Sequence, residues 1–234
     1  VYNYATGQPI QMPELSPLTY GHTDARLILR VGGSMGDVYG QRLLKRDLNG
    51  YILNEEGVGL AMENKETYLG SILPKMNMGW SLGFGYKGVN LGMTFTGRFG
   101  GIVISETQSV LDAAGVSKVS ADVRDAGGVQ INQSKVSAQT YYQTIQGTAA
   151  YYTYSATNVR LGELSLSYTL PKKWFDNKVG MTVGLVGKNL WMIYCKAPFD
   201  PELTTSAASN FYQGFDAYML PSTRNFGFNV KFQF

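Results

Sequence analysis

Apolar residues fall on every second position in five stretches of this chain. Met76, Met78, Trp80, Leu82, Phe84 and Tyr86 alternate with Asn77, Gly79, Ser81, Gly83 and Gly85. Lys87-Gly88, a dipeptide suited to a two-residue hairpin turn, leads to Val89, Leu91, Met93, Phe95 and Phe99. Leu164, Leu166, Tyr168 and Leu170 form a third set, and Val179, Met181, Val183 and Leu185 open a fourth that reaches Trp191 and Ile193. Phe226, Phe228, Val230, Phe232 and Phe234 form the last. Successive side chains of a strand point to opposite faces, so each stretch has one apolar and one polar face. The pattern predicts strands over about 76–86, 89–105, 158–170, 179–194 and 222–234.

The connections alternate in length. Lys87-Gly88 and residues 171–178 are short; residues 106–157 and 195–221 are long. Pro74, Pro171 and Pro221 sit at strand edges, where pairing tolerates them. Short turns on one side and long loops on the other is the arrangement of outer-membrane barrels. Apolar stretches of roughly 10 residues suit a tilted strand crossing a bilayer. The fold class expected is therefore all-β, a transmembrane antiparallel β-barrel with extracellular loops 106–157 and 195–221. If the last strand ends at the periplasm, Tyr168, Trp174, Phe175 and Phe234 lie at that membrane interface, where aromatic belts sit. Five strands do not close a barrel, and an open edge in lipid is not viable. Further strands are needed, from residues 1–75 or from a larger barrel of which this is the C-terminal part.

Residues 1–75 are the least patterned and read as an extracellular loop region with short strands. Pro9, Pro13 and Pro17 punctuate the start, residues 25–31 suit a short strand, and Asp47-Leu48-Asn49-Gly50 suits a turn. Within 106–157 two short helices are expected. One lies near 107–114 and stops at Gly115; the other follows Ser137 as N-cap and stops near Gly147.

Composition narrows the function classes. Lys+Arg number 20 against 17 Asp+Glu, a net charge of +3 with no basic run, which argues against nucleic acid as a partner. No run of about 18 apolar residues exists, so no transmembrane helix is expected; barrel strands remain open. One cysteine, Cys195, excludes a disulfide framework within the chain and a multi-cysteine zinc site. The start lacks an initiator Met and a leader pattern, as expected after processing or in a piece of a longer chain.

Candidate chemistry is sparse. Gly83 to Gly88 matches G-x-G-x-x-G, but strand alternation runs straight through it, against a dinucleotide fold. Asp47, Asn49, Glu55 and Glu56 fail the spacing of a calcium loop and read as a solvated turn. His22 is the only histidine and has no ligand partner in the pattern. No catalytic set emerges, so the expectation is no enzyme, no cofactor and no metal. The loop aromatics Tyr141, Tyr142, Tyr151, Tyr152, Phe199, Phe211, Tyr212, Phe215 and Tyr218 have two readings, with Tyr154 among them in the first: packing that stiffens the loops, or a platform for sugar or peptide ligands. Strand parity puts Arg160 and Arg224 on the outward face, and Arg98 and Lys231 on the inward face.

Several blocks, in consistent order, resemble one family. They are LPKMNMGWSLGFGYKGVNLGMTFTGRFGGIVIS (73–105), LDAAGVSK and DVRDAGG within 110–128, NVRLGELSLSYTLP (158–171), LVGKNLW (185–191), FDPE (199–202) and PSTRNFGFNVKFQF (221–234). Together they resemble the SusC/RagA-like TonB-dependent outer-membrane transporters of Bacteroidota. The resemblance implies the C-terminal part of a larger plugged barrel in the cell outer membrane of a Gram-negative bacterium. It also implies nutrient uptake, whether glycan import or peptide import, with a SusD-like surface lipoprotein. The implied partners are the remainder of the barrel and its plug, TonB through an N-terminal part not seen here, outer-membrane lipid, and the glycan or peptide substrate. A terminal Phe234 fits the aromatic C-terminus such barrels present for assembly. Two other readings stay open on the pattern alone: a self-contained small outer-membrane barrel with a structural or adhesive role, and a soluble carbohydrate-binding β-sandwich. The sandwich would bury Trp80, Phe84, Phe95 and Phe228 as core.

Overall fold

A computed structural model describes residues 18–19, 22–30, 32–55, 59–175, 179–203 and 213–233. Pro9, Pro13, Pro17, Glu56, Phe211, Tyr212 and Phe234 lie outside them. In chain order, β1 (Leu18–Thr19), β2 (Arg26–Leu27), β3 (Asp37–Leu44), β4 (Asn54–Glu55), β5 (Gly59–Leu60) and β6 (Met62–Ser71) precede β7 (Met76–Tyr86) and β8 (Val89–Phe99). After β9 (Ile102–Ser105) come α1 (Glu106–Ala113), α2 (Lys118–Asp125), β10 (Val129–Ile131), β11 (Ser134–Val136), α3 (Ala138–Ile145) and β12 (Thr153–Ser155). Then follow β13 (Asn158–Leu170), β14 (Gly180–Cys195), β15 (Phe215–Asp216) and β16 (Asn225–Gln233). Among the described residues no helix is long and apolar enough to cross a membrane, which says nothing of strands.

The chain divides into two units. The sheet unit holds Pro74–Gly100, Ala156–Pro201 and Leu220–Phe234. Its five strands pair in the order β16-β14-β13-β8-β7, every neighbour antiparallel. Lys87 and Gly88 both take positive φ, 46° and 88°, as a tight two-residue hairpin turn demands. The expected single strand over 89–105 is instead two. Gly100 and Gly101 adopt φ of 78° and 81°, a left-handed pair that ends β8 and starts β9 on a new course.

The insertion unit holds Val1–Leu73, Gly101–Ser155 and Glu202–Met219. Among the described residues its sheets are β1-β2-β3-β6, β12-β9-β15 with β15 parallel to β9, and the two-stranded pairs β4-β5 and β10-β11. The strands of 1–75 thus pair among themselves, not with the five-stranded sheet. Nor are all of them short: β3 has 8 residues and β6 has 10. Alternation hides both. β6 carries Glu63, Lys65, Asn64 and Glu66 on its two faces, and its register with β3 slips twice, so the partner strand rather than amphipathicity holds it. The long insertion carries three helices where two were expected. α2 escapes the pattern because Val119 and Val123 are its only large apolar residues; Ser117 caps it by accepting from Ser120 N–H. Ser105 and Ser137 cap α1 and α3 in the same way.

Burial separates the units. Two cores lie in the insertion unit. One is built on Val38, Ile72, Ile104 and Phe215, the other on Leu44, Leu60, Ile145 and Tyr152. In the sheet unit the buried apolar side chains among the described residues are small: Ala156, Ala197 and Pro201. Asp24 ties the insertion unit together: its carboxylate accepts from the backbone N–H groups of Ala149 (2.6 Å), Arg42 (2.7 Å) and Gln41 (3.1 Å). Asp24→Ala leaves those donors unsatisfied and should cost about 3 kcal/mol or more. Hydrogen exchange should quicken at the amides of Gln41, Arg42 and Ala149; unchanged protection there would refute the anchoring role.

Candidate functional site

Register turns the alternation of each strand into rows across the sheet unit. One row reads Phe84, Leu91, Leu166, Leu185, Phe228. The next, toward the short turns, reads Tyr86, Val89, Tyr168, Val183, Val230. The opposite face reads Gly83, Gly92, Ser165, Val186, Gly227, then Ser81, Thr94, Glu163, Lys188, Asn225. The apolar face is uncovered: Trp80 is 62%, Phe84 57% and Phe228 69% exposed. A sandwich would bury those rings, so that reading fails. An apolar face spanning five strands far exceeds what soluble monomers present to water.

The parity of the outer end differs from expectation. β13 slips register between Leu161 and Glu163, and β14 carries Asn189 and Leu190 across the same step. Asn189 takes φ of 54°, and its amide Nδ2–H donates to Thr223 C=O at 3.2 Å. On β13 this bulge flips every side chain beyond it, whereas Trp191 on β14 keeps the parity of Leu185. Leu161 and Trp191 thus share the apolar face in a row with Trp80 and Phe95, whose tilted rings lie 5.9 Å apart. Arg160, expected outward, instead pairs opposite Thr96 on the polar face and is 8% exposed. Its guanidinium donates twice to Asp200, Nη2–H to Oδ1 at 2.7 Å and Nη1–H to Oδ2 at 3.0 Å. Asn158 Oδ1 accepts from the same guanidinium. This bidentate clasp holds the root of the loop that follows β14. Cys195, just before it, lies 3.5 Å from the Ala197 carbonyl through Sγ. Arg98 faces the polar side opposite Asn77 and Asn158, as expected.

Aromatics mark both ends of the apolar face. Tyr86, Tyr168, the exposed Trp174 and the half-buried Phe175 lie at the short-turn end. The Trp80, Phe95, Trp191 row lies six residues along β7, about 20 Å away at strand rise. All five chain crossings between the units leave the sheet at the end opposite its short turns.

The loop aromatics scatter. Tyr152 and Phe215 are core residues, 3% and 2% exposed, and cannot present a ring to a ligand. Tyr151 spends its hydroxyl as acceptor for Leu44 N–H at 3.1 Å. Tyr141 stands edge-on to Tyr142, ring centroids 5.2 Å apart. Tyr218 is 58% exposed and donates its hydroxyl to the buried Glu106 at 3.2 Å. Phe199 is half-buried in the sheet unit.

Tyr142, though buried, lines a cleft of about 530 Å³ within the insertion unit, together with Asp112, Ser120, Arg124, Ser137 and Gln139. The cleft runs between α1, α2 and α3. Burial, then the Asp112 carboxylate, push the phenol of Tyr154 up to about 12 and raise those of Tyr152 and Tyr142. Asp112 and Arg124 were not among the expected site residues. The one signal was an acid in the last turn of a helix, where the dipole disfavours it.

An antiparallel wall with an apolar outer face, short turns at one end and long excursions at the other, defines the fold class: all-β, of the transmembrane β-barrel kind. One solved structure agrees in fold. A chain of the RagAB peptide importer in the "closed-closed" state is similar in fold, with a TM-score of 0.53 and 16% identity over 92% of this chain. This chain spans 28% of that one. A chain of the RagAB peptide transporter has a TM-score of 0.45 and 21% identity, over 68% of this chain and 20% of its own length. No protein-family profile matches, and no curated protein matches.

The Arg160–Asp200 clasp makes a sharp thermodynamic test. Asp200→Asn or Arg160→Met alone strands a buried charge or its partner and should cost about 3–5 kcal/mol. The double substitution should recover most of that loss in thermal unfolding, whereas additive losses would show that the two side chains act separately.

Proposed function

We propose that this chain supplies C-terminal wall strands and surface loops to a TonB-dependent outer-membrane importer of oligosaccharides or peptides, working with a SusD-like lipoprotein. The observation that carries this is the five-stranded antiparallel sheet whose whole apolar face is uncovered. Lipid is the solvent that such a face suits, while the Gly-, Ser- and Thr-rich face suits a watery lumen. The strands at its ends, β7 and β16, would pair with strands from the rest of the barrel, since unpaired backbone is not tolerated in lipid. The aromatic rows would sit at the two headgroup levels. The sheet ends opposite the short turns would face the extracellular side, with residues 106–157 and 195–221 as the long loops there. The fold likeness to a chain of a peptide importer supports this assignment.

The role is passive transport machinery rather than catalysis. Plug and TonB contacts would lie in the rest of the protein. The test is a charge scan of the two faces. Leu166→Arg and Phe228→Arg place a cation in the lipid band and should cost about 2–4 kcal/mol of folding in vesicles. Ser167→Arg and Asn229→Arg, one position away on the other face, should insert almost normally. Heat-modifiable migration of vesicle-inserted protein reads the outcome, and equal tolerance on both faces would sink the assignment.

A further inference from the structure

The net charge of this chain sits at one end of the sheet. The two short turns, residues 87–88 and 171–178, hold Lys87, Lys172, Lys173 and Lys178 against Asp176, a net +3. The whole chain carries +3, so cations and anions balance everywhere else. Asp176 and Lys178 lie outside the described residues, while Lys87, Lys172 and Lys173 are exposed. Among the described residues none of these three forms an ion pair. Thr169 N–H donates to the Gly88 carbonyl at 2.8 Å, which ties the first turn to the strand end leading into the second. Trp174 N–H donates to Pro171 C=O at 3.0 Å and folds the second turn back on itself.

These lysines begin where the apolar face stops. The last outward row toward the turns holds Leu170, Met181 and Phe232, and Lys172 follows Leu170 by two residues. Lys87 follows the exposed Tyr86, and its ammonium lies 5.2 Å from the centroid of that ring. A ring contact leaves the N–H donors of the ammonium to an oxygen acceptor. The Lys172 stem runs past Gly180 at the start of β14, where an added Cβ would come within 3.6 Å of Cε. An apolar stem along the wall with its charge beyond it is how lysine meets a membrane boundary. The exposed Trp174 adds the amphipathic ring that such a boundary favours. Like charges without counter-ions, continuous with a lipid-facing wall, complement the phosphates of anionic lipid. We propose that the short-turn end of the sheet binds the headgroups of anionic phospholipids, with Lys87, Lys172 and Lys173 donating to phosphate oxygens. The proposal rests on the importer assignment for the membrane itself and adds a lipid preference in the leaflet at the short turns.

Lipid retention by the intact protein tests it. Protein in vesicles of equal phosphatidylglycerol and phosphatidylcholine is extracted into detergent, and the lipids it keeps are counted by native mass spectrometry. Phosphatidylglycerol should be kept in about fivefold excess or more, the factor that one lysine near an anionic surface supplies. Lys87→Gln, Lys172→Gln and Lys173→Gln together should lower that ratio about fivefold or more. Arginine at the same three positions should preserve it, because the lipid reads charge. Arg224→Gln, at the opposite end of the sheet, should leave it unchanged. Equal retention of both lipids, a ratio untouched by the triple glutamine variant, or an equal fall with Arg224→Gln overturns the proposal. So does displacement of the retained lipid by inorganic phosphate, which would mark a site for the free anion. The ratio kept by the unaltered protein is decisive by itself, so a variant that misfolds does not conceal the answer. Insertion without a lipid preference strikes this proposal alone, whereas failure to insert strikes the importer assignment beneath it.

Discussion

Backbone pairing is the constraint on which the sheet unit depends. A wall that meets hydrocarbon has no water to satisfy a stray N–H or C=O, so each strand must be matched along its length by a neighbour. That is why β13 pairs over nearly its whole length on both sides, with β8 and with β14. It is also why the chain's irregular excursions are confined to the strand ends. Where pairing slips at Gly162, β14 takes up the step and β8 passes directly from Thr94 to Phe95. The bulge at Gly162 on β13 is matched by Asn189 and Leu190 on β14, so the ladder resumes with Leu161 opposite Trp191. Asn189 bears an unusual φ of 54° there and recovers a hydrogen bond to the Thr223 carbonyl.

The insertion unit solves the opposite problem. Its irregular backbone lies in an interior with two hydrophobic cores, and buried carboxylates supply the acceptors that missing ladders would have provided. Asp24 collects three backbone N–H groups. Asp216 accepts from the Ser105 hydroxyl at 2.6 Å, beside the N-cap of α1. Asp112 accepts from the Gln108 side chain one turn back on α1 at 2.7 Å, so its carboxylate is held within its own helix rather than across elements.

The wall was legible because its signal is local. The bounds 76–86 and 158–170 read from period-two alternation match those of β7 and β13, and positive φ at Lys87 and Gly88 follows from a two-residue hairpin. What escaped was whatever depends on a partner. The bulge at Gly162, marked only by the lone glycine of β13, carries Arg160 from the outward face to a buried clasp with Asp200. β6 is polar over Glu63–Glu66, and β3 anchors in the cores only through Val38 and Leu44, so their pairing with each other rather than alternation defines both. Tyr152 and Phe215 look like Tyr218 in sequence, since only tertiary packing decides which ring is buried. The cleft has no motif, because its lining residues come from three helices.

The polar face of the sheet has a consequence of its own. Glycine weakens a strand, yet Gly79, Gly83, Gly92, Gly184 and Gly227 lie along this face. At Gly79 and Gly83 an added methyl group would meet nothing within 4 Å, so packing inside the sheet does not require them. Their effect is clearance. Over Gly79 and Gly83 a body resting against the face meets bare backbone, whereas over Gly92 and Gly184 it meets the Ser165 hydroxyl and the Asn229 amide, which makes the β7 edge the smoother side of the wall.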